Sequence, residues 1–190
     1  MSYSPSIHYT QNDGYVYHLS EQGNIKRFDP RPVRAGHPLD QYGPAVWAIG
    51  QRLMHNYLLP RDCPRVTFYA GPETSDEDKD RFLGRTSADY IIAIESAWLD
   101  RVRSTTLYRY SLPAQSFRLI DPIADYWIST VAAVPTEVQV YDDLLSELTT
   151  RNIEVRITPS LWPLRDTVLN STLAFSMIRM TNAAPREPGL

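Results

Sequence analysis

Apolar and polar residues alternate with a period of two over Tyr15–Leu19 and again over Thr105–Leu112. That is the signature of half-buried strands, whose successive side chains point to opposite faces. Ala45–Ile49 reads as a buried strand broken by Gly50, and Val66–Tyr69, Ala88–Glu95, Phe117–Ile120, Ile153–Ile157 and Ala174–Met180 read as further strands. The long apolar run Tyr126–Val134 predicts a central strand ended by Pro135. Helical spacing governs Gln51–Leu59, where Leu53, Tyr57 and Leu58 share a face and Pro60 stops the helix. It also governs Ser96–Val102, with Trp98 and Val102 inward, Asp142–Thr150, with Leu144, Leu145 and Leu148 on one side, and Trp162–Leu169. Ser75, with Asp78 three residues on, predicts an N-cap for a solvated acidic helix over Thr74–Arg81.

About eight strands and four or five short helices that do not strictly alternate predict an α+β fold, with split antiparallel or mixed sheets. The 190 residues suffice for one domain, with residues 1–13 and 181–190 as loose tails. Fifteen prolines fit many short elements joined by fixed turns. Residues 33–43, with Gly36, Pro38 and Gly43, read as a loop able to lie across a cleft as a lid.

Composition narrows the function classes. A formal net charge of −3 leaves no electrostatic footprint for nucleic acid or an anionic membrane. Four tryptophans and twelve tyrosines suit stacking against a ring-bearing ligand. Cys63 is the only cysteine, so neither an intrachain disulfide nor a thiolate metal cluster can form. Met1–Pro5 carries no basic region leading into an apolar run, and no apolar run approaches the ~18 residues that span a bilayer. The expected address is cytoplasmic, and Asn170-Ser171-Thr172 is then a chance match to a glycosylation sequon.

No glycine-rich phosphate loop, HExxH or GxSxG signature is present. The four histidines (8, 18, 37 and 55) are scattered, so no metal is expected. His18 closes the first strand where it meets a polar loop, a position for either a structural ring or a functional one. Cys63, between Arg61 and Arg65, is either an activated thiol or a small buried residue in a proline-rimmed turn. Arg31, Arg61, Arg65 and Arg165 sit in irregular segments, where a planar fork suits phosphate or carboxylate; local pairing of Arg61–Asp62 and Arg165–Asp166 is the alternative. Glu137 and Glu95 each end an apolar strand and are candidate carboxylates for a ligand hydroxyl or a cationic transition state.

Tyr17-His18-Leu19-Ser20, then Ile25-x-x-Phe28-x-Pro30-Arg31 and Val46-Trp47-Ala48-Ile49, resemble the opening of the ADP-ribosyltransferase-like fold in its His-Tyr-Glu class. The resemblance implies that His18 holds the adenine-side ribose of NAD and that Trp47 occupies the aromatic position of the second strand. It also implies that Tyr57 stacks on nicotinamide and that Glu137 engages the nicotinamide ribose. Ala48-Ile49 stand where Ser or Thr is expected, and the segment around Glu137 lacks the usual Glu/Gln-x-Glu. The chain also resembles a narrower, uncharacterised family of small bacterial and fungal proteins. That likeness rests on His18-Leu19-Ser20-Glu21, Pro60-Arg61-Asp62-Cys63-Pro64-Arg65, Leu161-Trp162 and Phe175-Ser176-x-Ile178-Arg179-Met180.

These resemblances imply a nucleotide or other small-metabolite cleft, with NAD as substrate and no metal. His18, Tyr57 and Glu137 would be catalytic; Ser20, Arg31, Trp47, Arg61 and Arg65 would bind, the arginines on the pyrophosphate. The reaction would be attack at the anomeric carbon of the nicotinamide ribose. Two rivals stand beside it: a non-catalytic module that binds a ligand or protein on the same fold, and a biosynthetic enzyme acting on a small metabolite.

Overall fold

Strand alternation sets the first sheet. The computed structural model describes residues 14–32 and 40–186. Its elements are β1 (Tyr15–Ser20), β2 (Val46–Ile49), β3 (Arg65–Tyr69), α1 (Asp76–Asp78), β4 (Tyr90–Glu95), α2 (Leu99–Ser104), β5 (Leu107–Pro113), β6 (Arg118–Asp121), β7 (Tyr126–Ser129), β8 (Glu137–Tyr141), α3 (Leu144–Thr150), β9 (Ile153–Thr158), α4 (Trp162–Leu169) and β10 (Ala174–Ile178). The protein is α+β, with two sheets, one antiparallel in its defined registers and one mixed, and short helices. The chain divides into two compact units, residues 1–55 with 108–139 and residues 56–107 with 140–190.

The first unit carries the six-stranded sheet, in the order β6-β7-β2-β1-β5-β8. In β1 and β5, Val16 opposes Leu112, His18 opposes Tyr110 and Tyr17 opposes Ser111. One face therefore shows Val16, His18, Ser20, Tyr108, Tyr110 and Leu112, and the other Tyr17, Leu19, Arg109 and Ser111. Val16, Val46, Ala48, Leu112, Phe117 and Ala133 form the core on the His18 face, with Phe28 packed against it. Gly50 lets the chain turn out of β2: its N–H donates to Asp125 O at 2.9 Å, and a Cβ there would run into the Asp125 carboxylate. Asp125 is held in turn by Trp127 Nε1, which donates to it at 3.1 Å.

The second unit carries the four-stranded sheet β10-β3-β4-β9, in which only β4 and β9 run parallel. Val66 opposes Ala93 and Phe68 opposes Ile91 on one face, packed with Phe82, Leu161 and Val168. Arg65, Thr67, Ile92 and Ile94 on the other face are buried as well. Burial on both faces explains why β4 is apolar without alternation.

Several expectations need correction. The run from Tyr126 is a strand only to Ser129, and it lies second from a sheet edge, not at the centre. There Ser129 Oγ donates to Val131 O at 2.8 Å and turns the chain out of the sheet. Glu137 accordingly does not end that strand; it begins β8, an edge strand the apolar pattern missed. Gln51–Tyr57 is a 3-10 helix. Ser75 does cap α1, its Oγ accepting from Asp78 N at 3.2 Å, and a π-helical turn follows over Lys79–Leu83. Residues 181–186 are anchored, not loose, because Asn182 Nδ2 donates to Asp62 O at 2.8 Å and Ala184 N to Glu95 at 2.9 Å. The expected tails over 1–13 and 187–190, and residues 33–39 of the expected lid, lie outside the described residues; Asp40–Tyr42 form a 3-10 turn.

Candidate functional site

His18 is half-buried in β1 and fixed from two directions. Its Nδ1 lies 2.9 Å from the Trp47 carbonyl oxygen, which can only accept, so Nδ1 carries a proton and donates in that contact. The Phe28 ring packs against the imidazole with centroids 4.7 Å apart, and Phe28 meets Tyr110 edge-on at 5.2 Å. Tyr110 anchors the covering segment, since its hydroxyl donates to Gln22 O at 2.6 Å and accepts from Ile25 N at 3.2 Å. Ser20, two residues on and on the same face, is half-buried, and its Oγ accepts from Gln22 N at 3.0 Å. Arg31 reaches the same unit through its backbone, which pairs with Ala45, while its side chain is exposed.

Trp47 and Glu137 do not share that face. Tyr17 opposes Ile49 in the β1–β2 ladder, so Trp47, two residues before Ile49, points with Tyr17 and away from His18. Glu137 is on Trp47's side, because its Oε2 accepts from Ser111 Oγ at 3.2 Å and pairs with Arg109 at 3.5 Å. The Arg109 guanidinium lies 4.9 Å from the centre of the Tyr17 ring. The sheet thus separates the expected ribose-holding histidine from the expected late glutamate; what joins His18 to Trp47 is a backbone carbonyl. Arg109 and Ser111 went unread as partners of Glu137, although the alternation in Thr105–Leu112 already sets them on one face with each other.

Tyr57, Arg61 and Arg65 belong to the second unit. Arg65 is 1 % exposed and holds three backbone carbonyls: Nε donates to Asn56 O at 3.0 Å, and Nη1 to Pro60 O at 3.2 Å and Cys63 O at 2.7 Å. Its guanidinium also lies 5.8 Å from the Tyr57 ring centre. Such a fork fastens the Pro60–Arg65 turn and is not presented to a pyrophosphate. Arg61 is exposed and its carbonyl accepts from Arg179 Nε at 3.3 Å, and Asp62 pairs with Arg179 at 3.9 Å.

Cys63 is a buried thiol, not an activated one. Burial pushes it up to about 12 from an ordinary 9.0, Glu95 adds to the rise, and the opposing pull of Arg65 is too small to reverse it. Glu95, the second carboxylate candidate, is 1 % exposed and spent on backbone: Oε1 accepts from Leu161 N at 3.1 Å and Oε2 from Ala184 N at 2.9 Å. Arg165 does pair with Asp166, at 2.7 Å, and Arg186 shares the same carboxylate. Among the described residues no three His, Cys, Asp or Glu side chains converge as a metal site, and no helix is long and apolar enough to cross a membrane.

No curated protein and no solved structure matches the chain. A family model described as a family of unknown function (DUF6886) matches residues 17–183, from β1 through the anchored turn after β10. The match takes in both sheets, the His18 strand, the Arg65 turn and the Glu95 anchor, and on that extent the chain belongs to this family of unknown function.

Proposed function

We propose that this protein binds a nucleotide or another ribosyl ligand against the His18 face of the first sheet, on an ADP-ribosyltransferase-like framework. The observation that supports it is the oriented imidazole. Nδ1–H is committed to Trp47 O and the ring is packed on Phe28, so the imidazole is held at a set angle on this face of the sheet. Ser20 adds a hydroxyl on the same face, and exposed Arg31 adds a cation in the same unit. NAD is the ligand class the resemblance implies.

The separation of His18 from Glu137 favours binding without glycosidic cleavage, since an oxocarbenium-like state must meet both its ribose anchor and its carboxylate at once. Turnover of NAD is the second reading. It draws on Glu137, a carboxylate oriented by Ser111 and Arg109.

Calorimetric titration with NAD and ADP-ribose tests the proposal, with His18→Ala and Glu137→Gln beside the wild type. The binding reading expects a loss of about tenfold or more in His18→Ala, little change in Glu137→Gln and no nicotinamide released. Released nicotinamide that disappears in Glu137→Gln would establish the second reading. Absence of binding at millimolar ligand would overturn both.

A further inference from the structure

Away from the first sheet, the second unit has a recess of about 450 Å³ between the start of α4 and the anchored segment Met180–Arg186. That size lies within the roughly 300–1,000 Å³ of small-molecule sites. Trp162, Arg165 and Arg186 line it on one side, and Met180, Ala183 and Pro185 give it an apolar wall.

The cations are held in place before any ligand arrives. Arg165 Nη1 donates to Asp166 Oδ1 at 2.7 Å, and Arg186 Nη2 donates to Asp166 Oδ2. Both guanidinium groups lie 5.6 Å from the centre of the Trp162 ring. The indole cannot swing, because its Nε1 donates to Ala184 O at 2.7 Å. Each guanidinium carries five N–H donors, and the shared carboxylate engages one nitrogen of each. Two cations around one anion leave the cluster with one positive charge. The buried Glu95, whose Oε2 accepts from Ala184 N at 2.9 Å, places one negative charge behind the segment.

We infer that this recess binds a phosphate monoester carried on a compact apolar body. The phosphate oxygens would meet the two forks and the body would rest on Met180 and Pro185. A phosphate ester offers three terminal oxygens, one more than the carboxylate with which Asp166 already spans the two arginines, and so can meet the remaining N–H donors of both.

Phenyl phosphate is the probe, read by the indole N–H signal of Trp162 in a proton–nitrogen NMR spectrum, assigned by its absence in Trp162→Phe. Saturable movement of that signal at millimolar phenyl phosphate is expected, with benzoate, phenol and inorganic phosphate each weaker. Arg186→Ala and Arg165→Ala should each weaken it about tenfold, the scale of one charge-assisted contact. His18→Ala should leave it unchanged, which separates this site from the His18 face. No saturable movement, or movement that survives in the double Arg165→Ala/Arg186→Ala variant with unaltered dispersion elsewhere, would overturn the inference. Equal binding of phenol would overturn it too, by assigning the recess to the ring alone.

Discussion

The two sheets handle polar residues in opposite ways. In the first, His18, Ser20, Arg109 and Glu137 are half-buried or exposed on their strands, and Arg109 and Glu137 are held by neighbouring side chains. In the second, Arg65, Thr67 and Glu95 are buried, and the two charged groups are saturated by backbone: three carbonyls around Arg65 and two N–H groups on Glu95. A buried charge must be satisfied or it unfolds its surroundings, so the second sheet's ionisable residues are fastenings. Polarity that is exposed and lightly held can be spent on a ligand. The difference separates residues that look alike in the sequence, such as Glu95 and Glu137.

The largest effect should come from Arg65→Ala. It strips Asn56 O, Pro60 O and Cys63 O of their buried, charged donor, for a loss of about 3–5 kcal/mol in urea unfolding. A midpoint close to wild type would mean that the turn is held by something else. Next in size is a pH effect that isolates Cys63. The folded thiol stays protonated to about 12 while the unfolded one ionises near 9.0, so above 9.0 the unfolded state binds fewer protons and stability falls as pH rises toward 12. The full span is worth about 4 kcal/mol. Cys63→Ala should flatten this part of the curve relative to wild type, and native Cys63 should resist thiol reagents until the protein unfolds.

Glu95→Gln comes third. The amide keeps one acceptor, so one of the two N–H groups from Leu161 and Ala184 is orphaned, at about 1–3 kcal/mol. Faster hydrogen exchange at both amides would show that the carboxylate ties α4 to the anchored segment; unchanged exchange would break that link. His18→Ala should be the mildest, about 1 kcal/mol from one half-buried hydrogen bond. A loss as large as that of Arg65→Ala would erase the contrast between the sheets.

Periodicity carried most of the fold. β1, β2, β3, β4, β9 and α4 lie where alternation or apolar runs placed them, since each buries one face or both against the rest of its unit. β8 was missed although Glu137-Val138-Gln139-Val140-Tyr141 alternates, because the run is short and follows Pro135 directly; it is an edge strand whose first four residues, both valines included, are exposed. The anchoring of residues 181–186 was hidden for a different reason, as it depends on contacts with Asp62, Glu95 and Trp162 far away in sequence. The sequence could name His18, Trp47 and Glu137 but not say on which side of the sheet each lies. Register decides that, and a one-residue slip would reverse it.

The order in which the two units use the chain bears on how the protein can be made. Residues up to 55 begin one unit, 56–107 begin the other, 108–139 complete the first and 140 onward complete the second. A nascent chain emerging from the ribosome therefore starts both units before it can finish either. Tyr90 must wait for Ile153 to be synthesised before the parallel pair β4–β9 can form. A single cut, after 139 or after 55, can leave one unit whole, but always with a stretch of the other still attached. Isolating the His18 unit would require replacing residues 56–107 by a linker, and producing the other unit would require the reverse splice.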